Sequence, residues 1–132
     1  MEQSPNTAAQ HREHRAWLST LNFWQDEIKF FQNQLAETVA HSQPKALAPD
    51  VAEKRARMLS FLQRMDDFRH QIHLHEYYTA YFKEQHLREG KVISPSHQEV
   101  RQNLAAFMAE YHAFKTEMMA WLKQLAEHTQ AS

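Results

Sequence analysis

Cysteine is absent from the 132 residues, glycine occurs once and proline four times. Without cysteine, the chain forms no disulfide and has no thiolate for catalysis or metal binding. That fits a cytoplasmic address, which is the expected location. A single glycine rules out a glycine-rich phosphate loop. It also leaves β-rich folds short of turn residues, which such folds need about every 8–12 positions. No apolar run approaches the roughly 18–20 residues that span a bilayer. The opening "MEQSPNTAAQHREHR" is polar where a signal peptide would be apolar. Net charge is −1 with neutral histidines, and the cations are dispersed. The densest group, "EKRARM" (53–58), carries its own acid and reads as a solvated helix turn. A nucleic-acid binder needs a concentrated basic footprint to displace counterions. Neither nucleic acid nor membrane is therefore an expected partner.

Catalytic and cofactor patterns are also missing. Di-iron bundles use inward Glu-x-x-His pairs, and no glutamate here has a histidine three residues on. His75-Glu76 is followed by Thr79, so HExxH is absent too. An enzyme is not expected.

What is present is helical periodicity. Two punctuated stretches, "SQPKALAPD" (42–50) and "EGKVISPS" (89–96), divide the chain into three long segments. Asp50 with Glu53 and Ser96 with Glu99 have capping-box spacing, and Gly90 suits a helix C-cap. The expected helices cover about 9–42, 50–89 and 95–129, each on the order of 50 Å long at 1.5 Å per residue. Residues 1–8 are expected to be a flexible arm. Apolar residues recur in alternating steps of four and three: Trp17, Leu21, Trp24, Ile28, Phe31 and Leu35 in the first segment. Val51, Met58, Phe61, Met65, Phe68 and Ile72 follow in the second, and Val100 to Leu125 repeat the pattern in the third. This predicts heptad seams with coiled-coil-like packing. Short connections impose antiparallel neighbours. The predicted fold is an all-α, single-domain, up-down-up three-helix bundle.

Off these seams lie Phe23 and Phe30 on the first helix and Leu74, Tyr78 and Tyr81 on the second. A helix facing two neighbours carries a wide apolar face, but contiguous exposed aromatics also mark interfaces. These five residues are the candidate contact surface for a homodimer or another protein. The leading functional expectation is a non-catalytic structural or interaction module acting through self-association.

The ten histidines supply the alternative, a bundle that binds zinc or a similar divalent ion. In "RHQIHLHEYY" (69–78), helical geometry turns His73 and His75 roughly 200° apart, so one helix cannot chelate with both. His70, His73 and Glu76 share an outer strip. His75 holds a seam position, and the helix register brings it near His14 and Trp17, with Met108 opposite on the third helix. The candidate ligands are His14, His75, Glu76 and His73. The competing reading makes the seam histidines bulky, partly wet packing residues, since structural zinc takes four ligands. His86 and His97 are expected to face each other across the second connection. Asp26, Glu27, Asp66 and Asp67 are expected to form salt-bridged helix faces with Lys29, Arg64 and Arg69.

Overall fold

The computed structural model describes residues 5–41, 48–81 and 96–131, with side chains over 8–41, 48–77 and 96–127. Every described residue except Ser96 is helical. The helices are α1 (Pro5–His41), α2 (Ala48–Tyr81) and α3 (His97–Ala131), and each contacts the other two. The predicted three-helix bundle is the fold. No helix among the described residues is long and apolar enough to cross a membrane.

Helix ends follow local chemistry. At the start of α3 the Ser96 Oγ accepts a hydrogen bond from the Glu99 amide at 3.1 Å, satisfying a donor that the first turn leaves without a partner. α2 begins at Ala48, two residues before the expected Asp50 cap. Pro49 is tolerated there because first-turn amides have no intrahelical acceptor to lose. α1 begins at Pro5, inside the stretch expected to be an arm. Gly90 and Pro95 lie outside the described residues.

Contacts along the helices define their directions. His97 meets Glu13, and Tyr111 meets Glu27, each across 84 residues of sequence. A constant offset is what parallel helices require, so α1 and α3 run the same way. α2 runs against both: His14 meets Glu76 and Gln25 meets Arg69, while Lys54 meets Glu117 and Arg64 meets Glu110.

The core takes Leu21, Trp24, Ile28, Phe31 and Leu35 from α1, all buried. α2 adds Val51, Met58, Phe61, Met65 and Ile72, and α3 adds a buried row from Val100 to Leu125. Fully burying a large apolar side chain stabilises by about 1.5–3 kcal/mol, so this stripe supplies most of the driving force. An aromatic layer sits at its middle. Phe107 lies 5.7 Å from Phe61 and 5.1 Å from Phe68, centroid to centroid. Trp24 packs on Tyr111 at 5.1 Å. Tyr111 buries its ring and donates its hydroxyl proton to Glu27 at 3.0 Å. Burial, reinforced by that carboxylate, raises the phenol pKa and keeps it protonated. Near the end of the third stripe Leu122 is buried and Trp121 only partly so.

Charged faces flank the core. Arg69 bridges Asp66 and Gln25, whereas Glu27 turns to Lys115 and Tyr111 of α3. Lys54 is a buried cation, held by Glu53 and Glu117 with its ammonium 5.6 Å from the Trp121 ring centre.

Candidate metal centre

Above the aromatic layer, where α1 and α3 begin and α2 approaches its end, the stripe changes from hydrocarbon to imidazole. Each helix places one histidine at the next inward position: His14 from α1, His75 from α2 and His97 from α3. Their residue exposures are 2%, 6% and 8%. Ring centroids stand 4.9 Å apart for His14–His97, 5.0 Å for His14–His75 and 5.6 Å for His75–His97. One nitrogen from each ring falls within 4.8 Å of the other two. Trp17 walls the group, stacked on His97 at 5.0 Å and 23°.

Carboxylates hold two of the rings from outside. His14 Nδ1 donates to Glu76 Oε1, and the other oxygen of Glu76 accepts from His11 Nδ1 at 2.8 Å. His97 Nε2 donates to Glu13 Oε1 at 2.5 Å. Glu13 is clasped in turn by Arg101, through Nε at 3.0 Å and Nη2 at 2.7 Å. With their outer nitrogens protonated, His14 Nε2 and His97 Nδ1 face each other at 3.0 Å. The third ring brings another polar atom: His75 Nδ1 is buried with no hydrogen-bond partner among the described residues.

A proton count makes this arrangement informative. The chain Glu76–His14–His97–Glu13 has three gaps, and two neutral imidazoles carry only two N–H protons between them. The middle gap therefore holds two opposed lone pairs unless a third proton or another cation enters. Burial works against the third proton. It lowers the His14 pKa despite the opposing pull of Glu76. Burial, aided by repulsion from His14 and His97, lowers that of His75 to about 4. Glu13 stays below the usual carboxylate range, chiefly through Arg101 and further through His97. Burial pushes Glu76 the other way, but hydrogen bonds from His14 and His11 leave it lowered.

Of the residues singled out in the sequence, His14 and His75 meet here. Glu76 touches the outer nitrogen of His14, on the side away from the cluster. His73 is exposed on α2, so the structure places it away from the buried rings. The missed member is His97. Sequence register set Met108 opposite His75, yet Met108 is 39% exposed and His97 takes that place. The available signal was the α1–α3 interface, since seam positions 14 and 97 nearly share the offset that pairs Glu13 with His97. His86 lies outside the described residues.

Phe23 and Phe30 are 59% and 57% exposed, and Leu74 is 41% exposed. The side chains of Tyr78 and Tyr81 lie outside the described residues.

Fold and site together define a three-helix bundle with a buried three-histidine cluster at one end. No protein-family model, curated protein or solved structure matches the chain.

Proposed function

We propose that this protein is a metal-binding helical bundle that holds one divalent transition ion through His14, His75 and His97. The observation that carries this reading is the convergence of three buried imidazole nitrogens, one per helix, within 4.8 Å. In a tetrahedral site with metal–nitrogen bonds near 2.0–2.1 Å, ligand nitrogens stand about 3.3 Å apart. Small ring movements bring the three to that spacing. Imidazole favours zinc, copper, nickel or cobalt, whereas calcium and magnesium take oxygen ligands. Glu76 and Glu13 supply the outer hydrogen bonds that orient metal-bound histidines and raise their basicity. A cation also fills the gap between His14 and His97, with one nitrogen of His75 as its third ligand.

Metal analysis tests the reading. Protein made without a histidine tag, stripped with chelator and dialysed against zinc, is expected to retain one equivalent per chain. Retention of no zinc after removal of the free ion would overturn it.

A second reading, self-association as a structural or interaction module, draws on a separate observation. Phe23 and Phe30 leave more than half their area exposed, and Phe30 joins Met119, also exposed, along the groove between α1 and α3. Apolar surface of this kind favours burial against a partner. Light scattering is expected to give twice the monomer mass, with Phe23→Ser/Phe30→Ser returning it to monomer. A concentration-independent monomer mass for the unaltered chain excludes self-association.

A further inference from the structure

We propose that the ion held by His14, His75 and His97 keeps one coordination position for a small exogenous donor, either water or a small monodentate anion. This inference rests on the metal-binding reading and concerns what completes the coordination shell. The cluster supplies three ligand atoms, and no fourth histidine, aspartate or glutamate joins it among the described residues.

The two nearest carboxylates are engaged elsewhere. The two nitrogens of an imidazole point outward from different edges of the ring. His14 turns Nε2 toward His97 and gives Nδ1 to Glu76, which places Glu76 behind the ring. Glu76 is anchored there by His11 as well. His97 repeats the arrangement, with Nδ1 toward His14 and Nε2 on Glu13. Arg101 then fixes both oxygens of Glu13. Bringing either carboxylate to the ion would break these hydrogen bonds and remove support from a ligand histidine.

Three protein ligands are the pattern of zinc sites that retain a water or substrate position, while closed structural sites use four. The ligands found among the described residues are neutral imidazoles, so none of them cancels the positive charge of the ion. That charge favours an anion as the incoming donor.

Cobalt(II) reports both steps, because its visible absorption depends on coordination number and donor type. The unaltered full chain, loaded with one equivalent of cobalt(II), is titrated with sodium azide. A saturable change in the visible bands, with cobalt retained, is the expected result. Glu76→Gln is expected to keep the azide response while weakening cobalt binding about 10–100-fold, as loss of an outer carboxylate does. Bands that azide leaves unmoved overturn the open position while leaving the metal site standing. A response that appears only in Glu76→Gln overturns it too, because Glu76 would then be the fourth ligand. Absence of cobalt binding overturns both readings.

Discussion

Zinc at a hundred times its dissociation constant is expected to raise the melting temperature by roughly 10 °C. An ion that binds only the folded state adds about 2.7 kcal/mol at that ratio, and each kcal/mol shifts a domain of this size by about 3–5 °C. The effect depends on the tertiary structure, because His14, His75 and His97 come from three helices. In the unfolded chain they are separated by long stretches of sequence and make no common site. His75→Leu provides the sharpest comparison. Leucine is close to histidine in size and removes a buried nitrogen that has no partner among the described residues, so the apoprotein stays folded. The zinc-dependent shift is expected to disappear. Scanning calorimetry of both proteins, with zinc and with chelator, measures this. Equal melting temperatures with and without zinc for the unaltered chain would rule out a folded-state site.

Acid is expected to weaken the apoprotein well before its carboxylates titrate. Among the described residues, the groups facing His75 are His14 on α1, His97 on α3 and the adjoining Glu76 on α2, with Glu13 and His11 behind them. His75 has an ordinary value of 6.5 and falls to about 4 in the fold, mainly through burial. The unfolded chain therefore binds the proton more tightly. Stability from this group is complete above pH 6.5 and is lost progressively as the pH falls toward 4. The full loss is on the order of 3 kcal/mol. His14 is lowered as well and acts in the same direction. Glu13 and Glu76 are also lowered, so their contribution is present above about 4.5 and declines as pH falls through their folded values. Urea unfolding of the metal-free protein is expected to show a falling midpoint from pH 7 to 4.5. His75→Leu flattens part of that slope. A midpoint constant over this range would mean that the buried histidines do not resist protonation.

Much of the fold is legible in the chain because helices are local and their apolar faces recur. Leu21, Trp24, Ile28, Phe31 and Leu35 stand where one face of a helix must be, and all are buried. Lys54 is the instructive exception. A cation at an inward position reads as solvated, yet Glu53, Glu117 and Trp121 surround it. Two of these partners lie on α3, beyond the reach of local pattern.

The candidate site was half legible for the same reason. His14 and His75 belong to helices joined by one short connection, so antiparallel register sets them at one level. The expected partner of His97, His86, lies outside the described residues. The neighbour that sequence reading does not supply is His14, which reaches His97 through the parallel α1–α3 pairing that no turn announces.

Taken alone, the order of residues determines three helices, their inward faces and the separation of His73 from His75. Helical period and side-chain hydrophobicity act over a few residues, so neighbours in sequence suffice to decide them. Only the tertiary structure decides that three imidazoles share one buried space and which carboxylate stands behind which ring. Those outcomes depend on how α1 and α3 lie against each other, and that relation is set by packing all three apolar faces at once.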